Sequence, residues 1–214
     1  MDLQIKSVFR ACLVLGLIFS ANAWADQAIE VKQVVEQNVE SILETFEEKK
    51  SSFETDPEGF YQDMEGALTK IVDFRRIAAR VMGKHARKAS KEQRNRFVEV
   101  FKSSLFDSYS KTLVNSGSFN ITVLKAKINP RSDKRASVEM EVVSDKGNSY
   151  PVTYSMFRNK EDIWLVENVI VFGVNIGLAF KDRFEAQMRT NKGDVDKVID
   201  GWTVDIGIDL PEEV

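Results

Sequence analysis

Cysteine is nearly absent from this chain: Cys12 is the only one, and it lies in an apolar run near the start. No disulfide framework can form within it, so stability must come from a packed core. Histidine is equally scarce, with His85 alone. One histidine and one cysteine cannot build a tetrahedral His/Cys metal site. His85 sits in Gly83-Lys84-His85-Ala86-Arg87-Lys88, where neighbouring cations disfavour a general base. It reads as an exposed loop residue. No G-x-S-x-G, H-E-x-x-H or P-loop pattern occurs, and Asp205-Ile206-Gly207-Ile208-Asp209 lacks the spacing of a calcium loop. The expectation is no catalytic residue, no metal ligand, no cofactor and no enzyme activity.

Long hydrophobic runs are missing too. Ala11 to Ser20 is apolar but falls short of the roughly 20 residues a membrane span needs. Lys6 and Arg10 precede it and Ala23-Trp24-Ala25 follows, the pattern of a secretory signal cleaved before Asp26. Cys12 follows Arg10-Ala11 rather than ending the run, which argues against a lipid anchor. Residues 1–25 are thus expected to be a signal peptide and 26–214 a single exported domain. That domain would carry 28 basic and 32 acidic residues, a net charge of −4. Nucleic acid is a poor partner for such a chain. The charge is uneven: residues 70–96 hold ten Lys/Arg against Asp73 and Glu92. This stretch is either a docking surface for an anionic partner or a solvated helical face.

What is present is strong periodicity. Val31, Val35, Val39, Ile42 and Phe46 share one face of a helix over 28–50. Asp56-Pro57 opens a second helix, with Phe60 or Tyr61, Met64, Leu68 and Ile71 inward. A third follows Asp73, with Phe74, Ile77 and Val81 inward, and stops at Gly83. Ser90 and Gln93 form a capping box for a long helix reaching Asn115, striped by Phe97, Phe101, Leu105, Tyr109 and Leu113. Strands follow at 119–128, 135–143 and 150–158, then an Ile163 to Phe172 strand apolar on both faces, as a central or fully covered strand would be. Asp145-Lys146-Gly147-Asn148 is a hairpin turn. Helices resume after Gly173, first with Ile176, Phe180, Phe184 and Met188 inward. A last short one, capped by Asp194, carries Val195, Val198, Ile199 and Trp202. The tail Pro211 to Val214 reads as disordered.

This order predicts an α+β fold: a curved, mostly antiparallel four-stranded sheet packed on helices and enclosing an apolar cavity. It resembles the cone of the nuclear-transport-factor-like superfamily, which hosts both binding proteins and isomerases. Apolar stripes of this kind are usually ordinary core, so the residues alone leave a cavity protein, an enzyme and a solid-cored adaptor all open.

Two segments carry a family resemblance. One runs from Val72-Asp73-Phe74-Arg75-Arg76-Ile77-Ala78 through Lys88-Ala89-Ser90-Lys91-Glu92-Gln93 to Phe101. The other is Trp164-Leu165-Val166-Glu167-Asn168-Val169-Ile170-Val171-Phe172-Gly173-Val174-Asn175, followed by Lys181, Phe184 and the Gly193 to Trp202 segment. These resemble the MlaC family, also labelled toluene tolerance. The chain departs from the family's usual residues at Asn168, Phe172, Asn175 and Lys181. The resemblance implies a monomeric phospholipid-binding carrier of the Gram-negative periplasm, with phospholipid as cargo. It implies two partners, an outer-membrane lipoprotein complex and an inner-membrane ABC transporter complex, in a pathway maintaining outer-membrane lipid asymmetry. The headgroup would stay in water, with weak selectivity. Alternation within the strands and helices then assigns the lipid-binding wall to Phe101, Leu105, Tyr109, Met140, Val142, Val152, Tyr154, Met156, Val169, Val171, Val174 and Leu178. Lys70 to Arg96 is assigned as the docking surface.

Overall fold

The computed structural model describes the backbone of residues 2–204 and the side chains of residues 26–204. The side chains of the expected signal segment, Cys12 included, and the Pro211 to Val214 tail lie outside these. Among the described residues, no helix is long and apolar enough to cross a membrane.

Four helices come first: α1 (Asp2–Lys49), α2 (Pro57–Leu68), α3 (Phe74–Met82) and α4 (Lys91–Asn115). The helix expected over 28–50 is the second half of α1. The three later starts have their expected caps. Asp56 accepts from the Gly59 N–H and Asp73 from the Arg76 N–H. Ser90 and Gln93 close the capping box reciprocally. Gly83 ends α3 at φ 56°, a conformation that strains a side-chain-bearing residue.

The sheet has five strands in sequential order: β1 (Phe119–Asn129), β2 (Ser132–Ser144), β3 (Ser149–Arg158), β4 (Trp164–Val171) and β5 (Val174–Asn175). All four pairings are antiparallel. The fifth strand corrects the four-stranded expectation. Phe172 and Gly173 both take positive φ, 50° and 78°, which folds the chain back in two residues and lays Val174 beside Val171. After this turn comes the expected helix, α5 (Ile176–Thr190), capped by the Asn175 side chain, and then α6 (Val195–Asp200). The sheet's centre is β3, so of the two readings of β4's apolar run it is the covered strand that holds. The run reflects a strand next to the edge with α3 and α5 packed against it. Irregular register in β1 and β4 bends the sheet.

Two large cores result. In one, α1 lies on one face of the sheet, where Val31, Val35 and Val39 meet Val138, Met140, Met156 and Val166. In the other, α3, α4, α5 and α6 converge on aromatic rings. Phe97 meets Phe184 edge-on at 5.0 Å and Trp202 at 5.2 Å, and Phe101 meets Phe180 at 5.3 Å. Burying each such ring contributes about 1.5–3 kcal/mol. A smaller cluster of Phe46, Phe60 and Met64 ties α1 to α2.

Candidate functional site

Where these clusters meet they do not close. An apolar pocket of about 300 Å³ lies along the seam. Its helical wall is Phe74 and Ile77 from α3, Phe101, Leu105, Phe106, Tyr109 and Leu113 from α4, and Ile176 and Phe180 from α5. Tyr154 of β3 and Val166, Asn168 and Val169 of β4 form the sheet wall, with Leu68 and Val72 at one end. The stripe of α4 shows how it arises. Phe97 and Phe101 are fully buried, Leu105 and Tyr109 are half-buried, and Leu113 is 47% exposed. The helix keeps its apolar period past the end of its packing partner, and those side chains face the void instead.

Among the described residues, this wall carries no Asp, Glu, His, Lys or Arg. Tyr154 is half-buried in that wall, and its desolvation pushes the phenol above the usual range. An uncharged wall gives no general base or acid near neutral pH. His85 is not the exposed loop residue expected. Its side chain is 16% exposed, lies against Phe184, and its Nε2 is 2.9 Å from Glu185 Oε2. Hydrogen bonds from Lys84 and His85 lower the Glu185 carboxyl to about 2.

Five of the twelve residues assigned from alternation come together in the pocket: Phe101, Leu105, Tyr109, Tyr154 and Val169. Met140 and Met156 are sealed beneath α1, with Val152 packed against them. Val142 and Val171 are half-buried away from the pocket wall. Val174 and Leu178 are 43% and 50% exposed, because β5 and the first turn of α5 lie at the surface. Met140, Val152, Tyr154, Met156 and Val169 share the sheet face that α1 covers in part.

Sequence reasoning passed over one residue with unusual surroundings. Glu167 is 4% exposed and interrupts the apolar run of β4. It is the extra residue of a β-bulge, since Ser155 pairs with Asn168 and Met156 with Val166. Three guanidiniums converge on it: Arg76 Nε at 2.7 Å, Arg80 Nη1 at 2.7 Å and Arg135 Nη1 at 3.1 Å. Arg76 also stacks over the Phe157 ring at 3.8 Å. Burial raises the Glu167 carboxyl's pKa, but hydrogen bonds from Arg76 and Arg80 outweigh it and hold the group below the ordinary carboxylate range. A lone acid inside an apolar strand was the available signal.

The basic stretch 70–96 is therefore not one free surface. Arg76 and Arg80 hold Glu167, Lys84 holds Glu185, and Arg96 reaches Asp196 and Asp200. Arg94 donates to the carbonyls of Ala86 and Ala89. Lys70, Arg87, Lys88 and Lys91 remain exposed.

A curved antiparallel sheet, a helical layer and an uncharged pocket between them define an α+β apolar-pocket protein. The chain belongs to the MlaC family, whose model, described as MlaC protein, matches residues 36–204. It is 38% identical over 204 residues to toluene tolerance protein ttg2D of Pseudomonas putida, spanning 95% of this chain and 93% of that protein. A solved phospholipid-binding protein of Ralstonia solanacearum, in complex with a phospholipid, shares the fold. Its TM-score is 0.70 at 20% identity, over 79% of this chain and 92% of the other.

Proposed function

We propose that this chain is a phospholipid-binding carrier of the bacterial periplasm and not an enzyme. The observation that carries this reading is the uncharged apolar pocket left open between two otherwise well-packed cores. Its volume falls at the low end of the roughly 300–1,000 Å³ typical of ligand pockets. Loading two acyl chains would therefore require the layers around the seam to separate further and enclose a larger cavity. The phospholipid-binding relative of the same fold supports the choice of ligand.

The physical logic is one of transfer. Each buried methylene is worth about 0.8 kcal/mol, so two acyl chains in water cost on the order of 20 kcal/mol or more. An apolar pocket removes that cost without recognising chain identity. Relative to a bilayer the carrier gains little, because hydrocarbon is exchanged for hydrocarbon. Loading and release then need partners that open the seam. On this reading residues 1–25 are a signal peptide removed on export. The monomeric domain 26–214 shuttles lipid between an outer-membrane lipoprotein complex and an inner-membrane ABC transporter, sustaining outer-membrane lipid asymmetry.

The test is organic extraction of the purified mature protein followed by mass spectrometry, with uptake from labelled vesicles in parallel. Phospholipid at near one molecule per chain is expected. A preparation without lipid that also takes none from vesicles would remove the reading.

A further inference from the structure

The outer edge of β4 is not continuously paired. Val166 bridges Val72, and Ile170 and Val171 pair with β5. Between them Glu167, Asn168 and Val169 have no strand partner on that side among the described residues. This gap is where the apolar pocket meets a second pocket of about 320 Å³, the two sharing Ile77, Asn168 and Gly177 in their walls. The second pocket is of mixed character, with Arg80, Glu167, Asn175 and Lys181 beside Ile77, Val81 and Leu178.

Its charge is positive and held in place. Glu167 is spent on three guanidiniums, so Arg80 is fixed at the pocket wall with its side chain still 48% exposed. A guanidinium has five donors, and one bond to Glu167 leaves most of them available. Lys181 is exposed and has no carboxylate within ion-pair distance among the described residues. Its stem crosses Gly83, where a Cβ would lie 3.3 Å from the lysine Cε. Two cations, Arg80 and Lys181, thus line this pocket against one carboxylate, Glu167, which Arg76 and Arg135 also neutralise, beside a chamber with no charge. A purely apolar ligand has no use for that arrangement. An amphiphile with an anionic oxygen cluster next to its tails matches both halves.

Resting on the carrier reading above, we infer that the polar pocket seats the phosphate of a phospholipid whose tails fill the apolar pocket, with Arg80 and Lys181 as its ligands. Glu167 is a positioning residue that fixes Arg80. Because every glycerophospholipid carries this phosphate, the seat sets how deep the lipid sits without choosing among head alcohols.

The experiment offers the mature protein vesicles containing equal dioleoylphosphatidylglycerol, dioleoylphosphatidylethanolamine and dioleoylglycerol, then quantifies bound lipid by mass spectrometry. Wild type should load the two phospholipids alike and dioleoylglycerol about tenfold less, the scale of one charge-assisted hydrogen bond. Lys181→Ala, at an exposed and unpaired position, and Arg80→Ala should each lower that preference several-fold with dioleoylglycerol loading unchanged. Unchanged preference in folded Lys181→Ala and Arg80→Ala, or equal loading of dioleoylglycerol by wild type, overturns the phosphate seat while leaving the carrier intact. Wild type loading none of the three lipids overturns the carrier reading and the seat with it. Calorimetry with inorganic phosphate and glycerol 3-phosphate should show no binding at millimolar concentration. Tight binding of either, lost in Lys181→Ala, would reassign the pocket to free phosphate and overturn the lipid assignment.

Discussion

The Gly177 N–H donates to Asn168 Oδ1 at 3.0 Å, and a Cβ on Gly177 would lie 2.3 Å from that same oxygen. The contact joins β4 to the first turn of α5 at the place where both pockets share a wall. Gly177→Ala should push the Asn168 amide aside and leave a partly buried N–H without its partner. A loss of about 1–3 kcal/mol is expected, read from the denaturant midpoint. Gly66 is the contrast. It lies in helix α2 with nothing within 4 Å of the place an alanine methyl would take, so Gly66→Ala should stabilise by up to about 1 kcal/mol.

Glu167 couples stability to acid. It holds its proton less readily folded than unfolded, because Arg76 and Arg80 favour the carboxylate. Its contribution is therefore present above its ordinary unfolded value and is lost as pH falls through the depressed folded one. Thermal melts from pH 7 to pH 3 should show wild type losing stability over this range. Glu167→Gln should be destabilised by about 3 kcal/mol at pH 7, since three guanidiniums are left facing each other, and should lose less on acidification.

Pocket filling separates the two groups of sheet and helix residues. Leu105→Trp adds bulk to a half-buried position on the pocket wall, so bound lipid should fall about tenfold or more while the protein stays folded. Met140→Ala empties a site sealed beneath α1 and should cost about 2–5 kcal/mol without lowering lipid per folded molecule. Mass spectrometry of extracts and urea melts on the same samples check both.

The capping box of α4 is a purely local device. Ser90→Ala should cost about 1 kcal/mol by removing the acceptor for the Gln93 N–H. Urea melts should show it, and lipid loading should be unaffected.

Local patterns were legible wherever the relevant physics spans a few residues. The caps at Asp56, Asp73 and Ser90 and the stripe of α5 could be read directly, because period and capping depend on near neighbours. Strand β5 escaped notice because it is two residues long and depends on positive φ at Phe172, a conformation bulky aromatics rarely adopt. Half-burial of His85 escaped too, since Phe184 and Glu185 lie a hundred residues further along the chain.

By itself the amino-acid sequence determined the longer helices and strands, the apolar stripes of the helices and that no disulfide can form within the chain, since periodicity, caps and residue counts are properties of the chain alone. Only tertiary structure decided that α1 covers Met140 and Met156 while Leu105 and Tyr154 face a void, and that Glu167 gathers Arg76, Arg80 and Arg135. The reason is that alternation says which way a side chain points, whereas what it meets there depends on an element from elsewhere in the chain.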